Sequence, residues 1–331
     1  MRLCLISLTF ALAAILNIRS TFMDELQLKN LPDSGTLNTI ISELRNCDLS
    51  RVTYQKVFFT LLTKFKLIPV TSALLKAGHH VERARINESN QIFYSEKDIS
   101  YRTDFKNITK FGRANFPGQS LFYGAIKSQH IEHPRIINLL ETSEILRSAD
   151  KTTDTEFTIT VGKWRILQDI EVMENVFSKH TILTMPQVKD SYEHHLNNAK
   201  ADMPDRIEDV KFVLEFFSDE FAKKEIKTND DYKISVAYTE LAINYRGLAG
   251  VTYPSVRTDY QGFNVALTIP VVEQFLQLEV VAMFKIYKKG DKLFMDNLAY
   301  ATDLGKMNSS FKWIDIQGTP EDFINERLLK D

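Results

Sequence analysis

The sequence predicts an α+β chain, and three observations predict it. Apolar residues recur at helical spacing in the first part of the chain and again between about 191 and 245. Short alternating or apolar runs bounded by turn residues occupy most of the rest. Near the end, Lys288-Lys289-Gly290-Asp291 separates two long strand-like runs in the manner of a hairpin. At 331 residues, 44% hydrophobic and 25% charged, with 22 Phe and 12 Tyr, the chain has the make-up of a packed globular body rather than of a disordered or multi-spanning one. No internal repeat or low-complexity tract divides it, so it reads as one catalytic domain with helical additions.

Taken in order, Leu37, Ile40, Ile41 and Leu44, then Val57, Phe58, Leu61, Leu62 and Phe65, predict a helical module from Thr36 to Ala77 that Gly78 ends. His80 to Ile86 alternates as a strand and sets Arg83 and Arg85 on the same face. Asp104 to Gln119 is a loop rich in Gly, Pro and Asn that runs into the strand Leu121–Ala125. After Pro134 a helix carries Ile136, Ile137, Leu139, Leu140, Ile145 and Leu146, with Glu141 and Glu144 elsewhere on its surface. Strands are predicted at Phe157–Val161 and Trp164–Val172, and helices at Pro204–Glu225 and Asp230–Tyr245, where Phe212, Phe216 and Phe217 are packing residues. Strands follow at Val251–Tyr253, Phe263–Ile269, Leu276–Tyr287 and Leu293–Ala299.

A formal net charge of −2 gives no global attraction to nucleic acid, though a local basic pocket can still hold a small phosphate ligand. Two cysteines, Cys4 and Cys47, build neither a disulfide framework nor a cysteine-rich metal site. His79-His80 and His194-His195 have no ligand partners at metal spacing, and no Gly-x-Gly-x-x-Gly or Walker loop occurs. Arg2, the apolar run Leu3 to Ile18 and Arg19 support two readings of residues 1–22. One is an over-extended start before Met23 and a cytoplasmic protein; the other is a secretory or anchoring segment of a secreted or envelope protein. The run is shorter than the roughly 20 residues of a comfortable span. The sequons at Asn87 and Asn107 matter only in a secreted eukaryotic chain.

Gly112-Arg113-Ala114-Asn115-Phe116-Pro117-Gly118 is a rigid turn holding a cation and an amide, able to meet an anion closely or to serve as a surface turn. Tyr253-Pro254-Ser255-Val256-Arg257 stands at a strand end, with Asn264 after Gly262. Together and in this order, the stretches Gly112–Ala125 and Gly250–Leu267 resemble the RES family, named for an Arg, a Glu and a Ser; the resemblance covers about Arg83 to Pro270.

That resemblance implies a split, mostly antiparallel β core like that of ADP-ribosyltransferases, with a helical extension over 23–78, a catalytic domain over 79–331 and a helical insertion over about 191–245. It implies an enzyme that cleaves the nicotinamide–ribose bond of NAD, by phosphorolysis, hydrolysis or ADP-ribosyl transfer, as the toxin of a toxin–antitoxin pair. NAD is then a substrate, with no permanent cofactor and no metal. The expected partners are a cognate antitoxin and further copies of the chain, not nucleic acid. Carried over by position, the family Arg is Arg83 or Arg85, the loop Arg is Arg113, the strand aromatic is Tyr123, the Ser is Ser255, and Asn264 precedes the last core strand. For the Glu, Glu132, Glu141 and Glu144 compete, with Glu141 preferred and Glu144 its alternative. The chemistry accounts for these residue types. A carboxylate stabilises the oxocarbenium-like ribose, and Arg forks take the pyrophosphate. Tyr123 stacks on nicotinamide, while Ser255 and Asn264 bind ribose or phosphate oxygens. The alternative is a non-catalytic NAD- or partner-binding module on the same fold.

Overall fold

The computed structural model describes residues 31–65, 68–143, 146, 154–290, 292–304 and 310–316. The apolar segment Leu3–Ile18 and the carboxylate Glu144 lie outside the described residues. The chain divides into two compact units. Unit 1 is Met1–Ala73, Lys106–Gln119 and Glu171–Val251; unit 2 is Leu74–Phe105, Ser120–Ile170 and Thr252–Asp331. The helical prefix and the helical insertion, distant in the chain, therefore belong to the same unit.

Unit 1 is built on helices whose ends are written in their caps. In α1 (Ser34–Arg45) the Asp33 carboxylate accepts from Thr36 N at 2.9 Å, and Leu37, Ile40, Ile41 and Leu44 are buried. In α2 (Tyr54–Lys64) Thr53 caps the first turn and Val57 and Leu61 face inward. Phe65 meets the Phe217 ring, which stacks on Tyr238 with centroids 3.9 Å apart. The helical reading to Ala77 is corrected: Ser72–Leu75 is a strand, β1. The helix ends at Lys64, and Thr71 O accepts from Glu174 N at 2.9 Å while Thr71 Oγ1 donates to Glu174 O at 2.6 Å. A backbone partner a hundred residues away prevails over local periodicity.

Unit 2 opens with β2 (His80–Ile86), the strand predicted. After the short helix α3 (Glu96–Ile99) comes β3 (Phe122–Ile126), then α4 (Arg135–Thr142). The next strand, β4 (Thr155–Ile166), is one continuous element rather than two, with a register shift at Lys163/Trp164. Gly162 makes this possible, because a Cβ there would lie 2.5 Å from the Trp164 ring. Beyond it β5 (Ile170–Glu174) returns the chain to unit 1.

Unit 1 continues with α5 (Lys179–Thr184), α6 (Pro186–Asp202), α7 (Ile207–Phe221) and α8 (Lys233–Arg246). The predicted helices at Pro204–Glu225 and Asp230–Tyr245 are present, with Val210, Leu214, Phe216, Phe217 and Phe221 buried on one of them, but helix begins well before Ser191. After β6 (Gly250–Pro254) and β7 (Phe263–Leu267) the predicted strand to Ile269 stops short, because Thr268 precedes a helix, α9 (Ile269–Phe275), with Pro270 in its first turn. The hairpin is β8 (Leu276–Lys289) and β9 (Lys292–Thr302), turning at Gly290 with φ +59°. A last strand, β10 (Lys312–Asp315), was not anticipated.

The chain is thus mixed α and β. In unit 2 the strand order runs β7-β3-β2-β4-β8-β9-β10, and every pairing in it is antiparallel. Leu139 of α4 packs with Ala84, Ile159, Val161, Phe284 and Ile286 on this sheet. Each such buried aliphatic side chain contributes about 1.5–3 kcal/mol, so the position of α4 is firmly held. No helix among the described residues is long and apolar enough to cross a membrane.

Candidate functional site

The end of β6, the start of β7 and the last turn of α4 meet within unit 2. Between the two strands the chain makes a closed loop: Ser255 N donates to Gly262 O at 2.8 Å and Tyr260 N to Ser255 O at 2.9 Å. Asp259 and Tyr260 take left-handed φ values of +50° and +65°, conformations that cost non-glycine residues about 1 kcal/mol or more each. At Gly262 a Cβ would fall 2.6 Å from Ile137 Cδ1, so only glycine lets α4 lie this close. Ile137 stands one turn before Glu141 on the helix, and the same approach carries the Glu141 carboxylate to the loop.

There, Ser255 Oγ donates to Glu141 Oε1 at 2.7 Å and Asn264 Nδ2 donates to the same oxygen at 3.0 Å. Ser255 is fully buried and Asn264 nearly so, while Glu141 is half-buried. Two side chains named separately along the sequence, Ser255 and Asn264, thus converge on one oxygen of the third, Glu141. The competing Glu132 is exposed and ion-paired with Lys127 at 3.3 Å.

Arg83 and Arg85 share a face of β2, as the alternation required, but their environments differ. Arg83 Nε donates to Ser100 O at 3.1 Å and Ile99 O at 3.3 Å, its Nη1 donates to Tyr123 O, and the guanidinium lies over the Phe122 ring. Burial, then the neighbouring charge of Arg85, pushes it down to about 9, and it stays cationic at neutral pH. Arg85 Nη2 donates to Ser100 O at 2.8 Å, but its buried Nε has no partner among the described residues. Burial and the charge of Arg102 lower it, while Asp104 and Asp98 draw it back. Both arginines line a cleft of about 480 Å³, with Glu88, Gln91, Asp98 and Thr142, the residue after Glu141. That volume is in the range of small-molecule sites.

Tyr123 lies on β3 opposite Ala266, half-buried, and supplies the carbonyl that orients Arg83. Arg113 belongs to unit 1 and is not among the residues gathered here. Its Nη1 donates to Phe221 O at 2.5 Å and its Nη2 to Lys223 O at 3.2 Å, which caps the C-terminus of α7, and it lies over Tyr232. Sequence reasoning overlooked Asp98, whose Oδ2 accepts from Ser95 N at 2.9 Å and from Ser95 Oγ at 2.8 Å. The signal was present as Ser95-x-x-Asp98, a capping box.

The paired histidines also gain partners that spacing did not show. His80 Nε2 meets Glu279, and His195 Nε2 meets Glu174, each at 2.9 Å. No group of three metal-ligating side chains occurs among the described residues. No protein-family model matches the chain, and no curated protein matches it.

Proposed function

We propose that unit 2 is a RES-type, ADP-ribosyltransferase-like domain that consumes NAD by breaking its nicotinamide–ribose bond. The observation that carries this reading is the pair of hydrogen bonds from Ser255 and Asn264 onto Glu141 Oε1. In the reaction the C1′–N bond breaks, and its electron pair neutralises the nicotinamide ring nitrogen. The positive charge then develops on the ribose, where an oriented carboxylate stabilises it more than in the ground state. Water, phosphate or a protein nucleophile adds to C1′ and releases a proton. Ser255 and Asn264 hold the carboxylate, and the half-buried Arg85 guanidinium at the cleft wall meets the pyrophosphate. Arg83 orients the cleft wall from behind.

The domain would act as a toxin restrained by an antitoxin protein. Incubation of the full chain with NAD, with and without phosphate or a protein acceptor, tests the activity. Nicotinamide release is expected, and its absence under every condition overturns the reading. A second reading, binding without turnover, is favoured by the three backbone carbonyls that already engage Arg83. NAD binding with no nicotinamide release would establish it.

A further inference from the structure

The cleft lined by Arg83 and Arg85 carries a charged group that the bond-breaking chemistry does not use. Arg83 spends Nε and Nη1 on the carbonyls of Ile99, Ser100 and Tyr123. Arg85 makes one hydrogen bond among the described residues, from Nη2 to Ser100 O at 2.8 Å, so it is the cation the cleft offers to a ligand. Two carboxylates share the wall with it, Glu88 and Asp98. Asp98 Oδ2 is occupied at the start of α3, where it accepts from Tyr94 N at 3.1 Å, Ser95 N at 2.9 Å and Ser95 Oγ at 2.8 Å. The Glu88 carboxylate makes no hydrogen bond or ion pair among the described residues, and it is open to solvent where it lines the cleft.

The backbone fixes where Glu88 stands. Strand β2 ends at Ile86, but Asn87 N still donates to Thr158 O at 2.9 Å. The buried Asn87 amide accepts from Thr160 Oγ1 at 3.0 Å and donates to Gln91 O at 2.7 Å, and Gln91 N donates back to Glu88 O at 2.8 Å. Inside this closed turn Ser89 takes φ +51°, in the left-handed region that residues with a side chain rarely enter. The turn is thus anchored through a buried amide, and it sets Glu88 three residues beyond Arg85. A strand advances about 3.3 Å per residue, so the two groups meet neighbouring parts of one ligand rather than the same atoms.

With the pyrophosphate at Arg85 and the nicotinamide ribose at Glu141, the part of the dinucleotide left for Glu88 is the adenosine ribose. A carboxylate accepts hydrogen bonds and donates none, which suits the two hydroxyls of that sugar. A phosphate on one of them removes a donor and sets a second anion against Glu88, while Arg83, the other cation in the lining, is already engaged. We propose that Glu88 makes the cleft selective for a dinucleotide whose adenosine ribose is unphosphorylated, so that NAD is consumed and NADP, with its 2′-phosphate, is rejected. This inference rests on the reading of unit 2 as an NAD-consuming domain.

Steady-state nicotinamide release by the full chain, with NAD and NADP as parallel substrates, tests it. The repulsion is expected to favour NAD at least about tenfold in kcat/KM. Glu88→Gln keeps the size and removes the charge, and should raise kcat/KM for NADP at least about fivefold without raising it for NAD. Glu88→Lys should bring NADP level with NAD or above it. The turn is closed by the backbone of Glu88 rather than its side chain, and thermal melts confirm that each variant folds. Equal kcat/KM for the two dinucleotides in the unmodified chain overturns the proposal, as does a preference that neither substitution moves. If neither dinucleotide releases nicotinamide, the catalytic reading of unit 2 fails separately. Calorimetric titration with ADP-ribose and its 2′-phosphate then decides the selectivity: tighter binding of ADP-ribose, lost in Glu88→Gln, supports it, and equal binding or none overturns it.

Discussion

Two carboxylates in this molecule are held in nearly the same way, and the difference between them is instructive. Glu141 in unit 2 and Glu174 in unit 1 each bring one oxygen to a serine hydroxyl, at 2.7 and 2.8 Å, and to a side-chain nitrogen, at 3.0 and 2.9 Å. For Glu141 that nitrogen is an amide, which cannot exchange its charge state. For Glu174 it is an imidazole, which can. The partners of Glu141 come from 114 and 123 residues away, those of Glu174 from 17 and 21. The first is a junction of three elements that exists only when unit 2 is folded. The second is largely a property of one helix laid beside one strand. An amide-held carboxylate keeps one charge and geometry, as a site for a developing cation requires, whereas the imidazole-held one orients a ring.

The strongest way to break this comparison is to neutralise each acid. Glu141→Gln should lower nicotinamide release at least about a hundredfold, on the order of 3 kcal/mol of barrier, with NAD binding retained. Glu174→Gln should leave the rate within a factor of two. Steady-state kinetics on both, with Glu144→Gln alongside, separates the alternatives; activity that survives in Glu141→Gln and disappears in Glu144→Gln moves the role along the chain. Next in size, Ser255→Ala or Asn264→Ala removes one hydrogen bond to a charged acceptor, worth about 1.5–3 kcal/mol, so kcat should drop about ten- to a hundredfold. The double variant should show coupling, because both donors serve the same oxygen. Additive effects would mean that they act separately.

Smaller effects probe the scaffold. Gly262→Ala forces α4 from the loop and should cost about 1–3 kcal/mol in urea unfolding, with a loss of kcat; an unchanged midpoint would show that the contact yields freely. Arg113→Ala removes the cap of α7 and should cost about 1–3 kcal/mol in stability while KM for NAD holds. A raised KM with unchanged stability would return Arg113 to the pyrophosphate. The smallest effect concerns pH. Burial raises the Glu220 carboxyl above its usual range, although Lys223 Nζ at 2.5 Å draws it back. Its folded value exceeds its unfolded one, so the stability it contributes is present at acid pH and is lost as pH rises through the folded value. Glu220→Gln should therefore gain in melting temperature relative to the parent from pH 4 to pH 8. A constant difference would mean that the ion pair offsets the burial.

What was legible in the sequence was local. Strand β2, with Arg83 and Arg85 on one side, follows from alternation, and the stripe Val210, Leu214, Phe217 and Phe221 follows from the helical period. What was not legible depends on partners far along the chain. Ser72–Leu75 looks helical until Glu174 pairs with Thr71; Gly162-Lys163 looks like a break until Trp164 fills the space above the glycine. Arg113 reads as an anion binder because nothing near it reveals the carbonyls of Phe221 and Lys223. The convergence on Glu141 is intermediate in kind. Its three members are recognisable as residue types in motifs, but their meeting depends on α4 lying against Gly262, a distance no spacing encodes.

Strand β4 is paired along its length to β8 on one side and over Ile159–Arg165 to β2 on the other, and α4 rests on the sheet these strands form. The amides along such a strand exchange with solvent only when the sheet itself opens, and local fraying at chain ends or loops leaves them untouched. The helix that carries Glu141 is thus attached to the part of unit 2 that is last to give way. Heat inactivation of the site should accordingly follow the loss of the sheet rather than precede it, and partial opening elsewhere in the chain leaves the carboxylate in register.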